Sequence, residues 1–345
     1  MTTQAADVIE HSSLQAWLLE NLLQGVSRDR LVEILASRGM EGSAAEAAVI
    51  RTESQFSGPL YFAAKRLAQR TRKLECLLSV LSKLRALDPA NLTVPRRQHI
   101  PYAEFLRDFY AANQPVILTD IIRSWPALTK WDLNYFRSGF GDEEIEIMDH
   151  RSSDPEYEVN MENHKVKTTF REFVTRIETA GRTNDFYLVA NNFLMDDTRF
   201  SRLYSDVDCL PEYLDPNDLP GSCSLWFGPA GTATMPHHDT INVFLCQILG
   251  RKQISLIPTL DTPLVYNYRG VFSEVNWDHP DLEQYPAFRE AQRLEITLNA
   301  GEVLFIPIGW WHYITALDPS ISISFSNFKA PNEFWIDNPG RPDTL

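Results

Sequence analysis

Two short segments hold residues whose types and spacing suit metal chemistry. Pro236-His-His-Asp239 leads into a run of strand-forming residues, and Gly309-Trp-Trp-His312 opens another. Alternate residues of a strand share a face, so His237 and Asp239 can project together while His238 turns the other way. His312, from a distant strand, can complete the set. Two imidazoles and one carboxylate on one face of an octahedral metal leave three positions open, which suits a non-haem Fe(II) centre that activates oxygen. An H-x-D alone is a weak signal, so its weight depends on the elements around it. His150, His164 and His279 have no partner at strand spacing, and no second metal site is expected. The sequence has no G-x-S-x-G elbow, which argues against a hydrolase of that design.

The elements that must position these residues are short strands. Apolar runs rich in β-branched and aromatic residues fall at 243–249, 253–257, 294–298, 303–306 and 320–328, separated by Gly or Pro turns, a pattern that predicts a sandwich or barrel. Ser322, Ser324 and Ser326 form a small polar face in the last of these, opposite Ile321, Ile323, Phe325 and Asn327. Further strands are expected at 115–119, 145–148 and 186–189, interleaved with short helices. Residues 259–292, rich in Asp, Pro and Tyr, read as a long insertion of the functional kind.

The first hundred residues read differently. Leu14, Trp17, Leu18, Leu22, Leu31, Ile34 and Leu35 recur at helical spacing. Ser12 with Gln15 and Ser43 with Glu46 have capping-box spacing, and Gly25 and Gly39 stand where helices would end. A three-helix unit followed by a longer helix over 60–87 is predicted, with Asp88-Pro89 and Val94-Pro95 breaking the chain. The expected organisation is a helical N-terminal domain at 1–93 and a catalytic domain at 94–345. The helical stripe around Trp17, Leu18 and Leu22 must bury against something: a peptide or protein substrate engaged jointly with the barrel mouth and the 259–292 insertion, or else the chain's own barrel or a second copy in a homodimer.

Composition bounds the function. With 345 residues, 44% of them apolar, the chain can bury a sizeable core and carry an appendage. No apolar run approaches the ~20 residues that span a bilayer, and the N-terminus lacks a signal-peptide profile, so a soluble, cytoplasmic protein without a membrane partner is expected. The four cysteines lack C-x-x-C spacing and read as free thiols. A formal net charge of -14 disfavours general nucleic-acid binding. The basic stretch from Lys65 to Arg97 reads as a solvated helix face, with an RNA partner as the alternative.

Several separate motifs, in order, resemble the JmjC oxygenases, and in particular the cupin-like group that includes the asparaginyl hydroxylase of hypoxia-inducible factor. They are Asn113-Gln-Pro-Val-Ile-Leu-Thr119, Trp125-Pro-Ala-Leu128, Phe140-Gly141, Leu225-Trp-Phe-Gly-Pro229, the H-x-D segment, Gln247-Ile-Leu-Gly-Arg-Lys252, Gly301-Glu-Val-Leu-Phe-Ile-Pro307 and Trp311-His312. The resemblance implies a mainly β fold, a double-stranded β-helix or jelly-roll barrel after the helical unit. It also implies Fe(II) on His237, Asp239 and His312, with 2-oxoglutarate as co-substrate and O2 as oxidant. By the same resemblance Lys252 binds the distal carboxylate of 2-oxoglutarate, assisted by Thr234 and Tyr187. Read by itself, Lys252 is a surface residue at a turn and Tyr187 a half-buried strand residue. Asn327-Phe328 matches an Asn-aromatic pair near the metal, and a polar strand end is the other reading. Val243 stands where that hydroxylase has a second Asn. Trp226, Trp310 and Trp311 either wall the entrance or simply pack.

The implied activity is hydroxylation of a peptide or protein side chain, with succinate and CO2 as co-products. Hydroxylation of a modified RNA base, N-methyl-lysine demethylation and a non-catalytic binding module of the same fold are the alternatives.

Overall fold

The computed structural model describes residues 14–23, 25–56, 58–190, 193–267, 269–332 and 334. The chain divides into two compact units, Met1–Lys83 and Leu84–Leu345.

In the first unit, residues 14–23 form helix α1, followed by α2 (Arg28–Ser37), α3 (Gly42–Gln55) and α4, which starts at Pro59 and runs on to Arg85. Gly25 and Gly39 take left-handed φ of 82° and 93°, the conformation that lets the chain leave a helix at low cost. Leu18 and Leu22 bury against Leu31, Leu35, Ala45 and Val49, so the α1 stripe finds its cover inside its own unit. The expected capping box at Ser43 does not form: α3 begins at Gly42 with Glu41 as its cap, and the Ser43 hydroxyl bonds the Glu41 carboxylate instead. Ser12, of the other expected box, lies outside the described residues. No helix among the described residues is long and apolar enough to cross a membrane.

The second unit is built on strands. In chain order they are β1 (Arg96–Arg97), β2 (Val116–Leu118), β3 (Glu144–Met148), β4 (Lys165–Thr169), β5 (Cys223–Gly228), β6 (Ala233–His238), β7 (Val243–Leu249), β8 (Lys252–Ile257), β9 (Leu294–Leu298), β10 (Val303–Ile306), β11 (Trp311–Ala316) and β12 (Ser320–Phe325). A six-stranded sheet runs β1-β2-β10-β7-β12-β5 and a four-stranded sheet runs β6-β11-β8-β9, with β3 and β4 forming a separate ribbon. From β5 to β12 the chain passes back and forth between the two sheets, with β8 and β9 following one another in the smaller one, and all the pairing among these strands is antiparallel, which is the jelly-roll topology. One core lies against the large sheet, around Phe105, Phe136, Phe170, Phe227, Phe244 and Phe305. A smaller one, with Ile254, Leu256, Leu304 and Trp310, includes residues of both sheets.

The strand expected at 186–189 is held only by single bridges, Met148 to Tyr187 and Leu188 to Phe227. The insertion after β8 has two 3-10 turns, Thr259–Leu264 and Pro286–Glu290, and a core of its own in which Val265, Val275, Trp277 and Phe288 pack on Trp311.

Candidate metal centre and co-substrate site

The pairing of β11 with β6 sets His312 directly opposite His237. Asp239 follows β6 immediately, and the chain there turns so that the carboxylate comes between the two rings: its oxygens lie 3.8 Å from His237 Nε2 and 3.7 Å from His312 Nε2. One donor atom from each residue falls within 4.8 Å of the others, a spacing that can hold a metal ion. Both rings are fixed from behind. His237 Nδ1 donates to Met235 O at 2.7 Å and His312 Nδ1 to Trp310 O at 3.0 Å. A carbonyl oxygen only accepts, so Nδ1 carries the proton in each ring and Nε2 presents its lone pair inward. Burial, and then the neighbouring His237, push the His312 pKa down to about 4, which keeps that imidazole neutral and ready to ligate. His238 faces away, its ring edge-on to Trp311 at 4.7 Å, and it is absent from the cavity lining.

The triad lines a cavity of about 380 Å³, and so do Thr234, Tyr187 and Lys252. Lys252, the first residue of β8, is 3% exposed, and burial lowers its pKa to about 7. Among the described residues no carboxylate lies within ion-pair distance of it; its Nζ donates to the Tyr187 hydroxyl at 3.3 Å and sits 5.9 Å from the Trp226 ring. The Thr234 hydroxyl beside it is buried without a partner. A buried cation lacking a counter-ion and an orphaned hydroxyl, both facing one cavity, are costly unless an anion with acceptor oxygens sits between them. The donors of the triad and this cationic pocket therefore fit Fe(II) and the far carboxylate of 2-oxoglutarate.

Asn327 is not brought to this cavity. Regular pairing of β12 stops at Phe325, and beyond it Asn327 directs its amide to Asp215 O at 2.7 Å while its own carbonyl accepts from Asp215 N. Ser324 and Ser326 line the cavity instead. Of the three tryptophans, Trp226 lines it, whereas Trp310 and Trp311 are fully buried and bonded to Asn113 and Thr262. Val243 lines it as an apolar residue. Phe272 of the insertion bridges to His237 and closes part of the wall.

Sequence reasoning missed Glu158, which also lines the cavity. Desolvation raises its pKa. It belongs to the charged stretch between β3 and β4, whose composition reads as surface, so no periodic signal marks it. A second cluster, Asp149, His150 and Asp185, meets the same spacing test. There Arg176 holds both Asp149 oxygens, at 2.6 and 2.8 Å, so that carboxylate is already neutralised.

Comparison with known proteins agrees with this geometry. A model of the cupin-like domain matches residues 102–333. Over 264 residues the chain is 33% identical to the lysine-specific demethylase 8 of Xenopus tropicalis, covering 74% of this chain and 56% of that protein. It is 32% identical to the lysine-specific demethylase JMJ30 of Arabidopsis thaliana, over 67% of this chain and 54% of that one. It is 30% identical to the tRNA wybutosine-synthesizing protein 5 of Gallus gallus, over 72% of this chain and 78% of that one. The chain thus spans little more than half the length of the first two relatives.

Proposed function

Since this chain belongs to the cupin-like, JmjC-type family of Fe(II)- and 2-oxoglutarate-dependent oxygenases, we propose that it hydroxylates a side chain of a peptide or protein. When bound, Fe(II) with 2-oxoglutarate and O2 supplies the oxidation: one oxygen atom enters the substrate C–H bond, the other enters succinate, and CO2 leaves.

The chain's own residues do the rest. His237, Asp239 and His312, which line the cavity together, would hold the metal. Lys252 and the hydroxyls of Thr234 and Tyr187 take the distal carboxylate and so set the direction in which the co-substrate points. Apolar walls such as Val189, Ile241, Val243 and Phe272 keep water from the reacting centre.

The observation that carries this reading is the joining of the triad and the unpaired Lys252 in one cavity. The choice of a protein side chain rests on charge. The net charge of -14 repels a polyanion such as transfer RNA. The relatives named as lysine-specific demethylases favour a second reading, since the same oxidation placed on an N-methyl carbon ends in loss of the methyl group.

Purified protein given Fe(II), ascorbate and 2-oxoglutarate should form succinate slowly without any prime substrate. Mass spectrometry of peptides from cells with and without the gene should then find species that gain one oxygen atom. Species that lose a methyl group instead would select demethylation, and tight, salt-sensitive RNA binding would remove the protein-substrate reading.

A further inference from the structure

β6 carries His237 and leads into Asp239, yet it is the edge strand of its sheet. Just ahead of the metal ligands, at Ala233 and Met235, its outward backbone groups face no neighbouring strand; the insertion reaches it only from Pro236 onward. An edge with unpaired N–H and C=O groups is costly when buried and loosely defined in position. Here side chains take the place of a strand. Ala233 N donates to Asn184 Oδ1 at 2.8 Å, and Ala233 O accepts from Arg151 Nη2 at 2.6 Å. Met235 N donates to Glu158 Oε2 at 2.8 Å, and Met235 O accepts the His237 ring at 2.7 Å. Only beyond this point does the insertion's backbone take over, with Val271 O accepting from His238 N and Ser273 N donating to Pro236 O.

The three side chains form one unit. Arg151 is 0% exposed, gives Nη1 to Asn184 Oδ1 at 2.9 Å and Nη2 to Glu158 Oε1 at 3.3 Å, and lies over the Tyr157 ring at 4.2 Å. Burying a guanidinium is expensive, and this one is held in place by two acceptors that each also hold the metal-bearing strand. Asn184 Oδ1 accepts from both Arg151 and Ala233, while Glu158 accepts from both Arg151 and Met235.

We propose that Arg151, Asn184 and Glu158 are positioning residues of the metal centre: they act as a substitute neighbour strand for Ala233 and Met235 and thereby set the aim of His237 and of the Thr234 hydroxyl between them. The inference concerns metal binding and stands whatever the prime substrate is.

Its test uses the metal alone. Co(II) takes the same imidazole and carboxylate donors, and its visible absorption reports their arrangement. Asn184→Ala and Glu158→Ala should each weaken Co(II) binding about tenfold, the lower end of what supporting partners of metal ligands contribute, with shifted visible bands. Asn184→Asp keeps both acceptor bonds and Glu158→Gln keeps an oxygen for Met235 N, so each should recover most of the affinity and the native spectrum. Melting of the metal-free variants is followed in parallel. A lowered melting temperature with unchanged Co(II) affinity and spectrum would mean a merely structural role and overturn the proposal, as would an Asn184→Asp protein that binds no better than Asn184→Ala. Should Asn184→Ala not fold, Glu158→Ala and Glu158→Gln decide the matter by the same titration.

Discussion

Each ligand of the triad supplies one bond of three, so His237→Ala, Asp239→Ala or His312→Ala should remove most Fe(II) affinity, whereas His238→Ala, whose ring turns to Trp311, should leave it nearly intact. Metal titration of the four variants checks this. Lys252→Ala should raise the 2-oxoglutarate concentration needed for turnover on the order of ten- to a hundredfold while sparing metal affinity, because a charge-assisted bond contributes roughly 1.5–3 kcal/mol. Lys252 also predicts a pH dependence of the ligand-free protein. Its pKa falls from 10.5 to about 7 on folding, so the unfolded chain binds the proton more tightly. The burial cost is then full below about pH 7 and is relieved as pH rises toward 10.5. Urea unfolding over that range should show stability rising with pH more steeply in the wild type than in Lys252→Met. The triad was legible because the H-x-D spacing and the order of the motifs pointed to it, although Asp239 reaches the two rings from a turn just past β6 and not from the strand face. Asn327 was misplaced because counting onward from His312 assumes a strand that in fact ends at Phe325. Arg151 and Glu158 were invisible, since polar residues in a loop declare nothing about burial until the edge of β6 needs them.

Strand boundaries such as Val243–Leu249, Leu294–Leu298 and Val303–Ile306 could be read directly, as apolar runs between turn residues leave little choice. The segment at 186–189 could not, because whether an apolar run joins a sheet or only bridges to one depends on what lies beside it. Between β7 and β8 the chain changes sheets through Gly250 and Arg251 alone. Gly250 has φ of +71°, and a Cβ there would meet Pro319 O at 2.3 Å, a backbone atom that cannot rotate away. Gly250→Ala should therefore cost about 1–2 kcal/mol for the left-handed backbone, with the clash added to it. Thermal melting should show the loss. Because Lys252 follows two residues later, the same variant should also bind 2-oxoglutarate more weakly in whatever fraction stays folded.

At the scale of the whole chain, the division into Met1–Lys83 and Leu84–Leu345 predicts where it can be cut. Pro punctuation draws the eye to residue 94, yet the residues just before it are bonded into the second unit. Arg85 donates to Gln114 Oε1 and Gln292 Oε1, both at 3.1 Å, and lies over the Trp310 ring at 5.2 Å. Asn91 returns a bond to Arg85 O. Trp310 in turn supplies the carbonyl that fixes His312. A chain beginning at Leu84 should thus keep Fe(II) affinity and substrate-free succinate formation close to those of the full protein. A chain beginning at Val94 should melt at lower temperature and bind metal more weakly, because it strips the cation from the face of Trp310 and leaves two glutamine acceptors unsatisfied. Comparing the two chains by thermal melting and metal titration separates this from a general intolerance of truncation, which would damage both alike. The chain beginning at Leu84 then bears on what the helical unit does. Oxidation of the cellular target should fall in it while succinate formation without substrate persists, as expected if the helices help to present a protein substrate. Undiminished target oxidation would leave recognition to the cavity and its insertion alone.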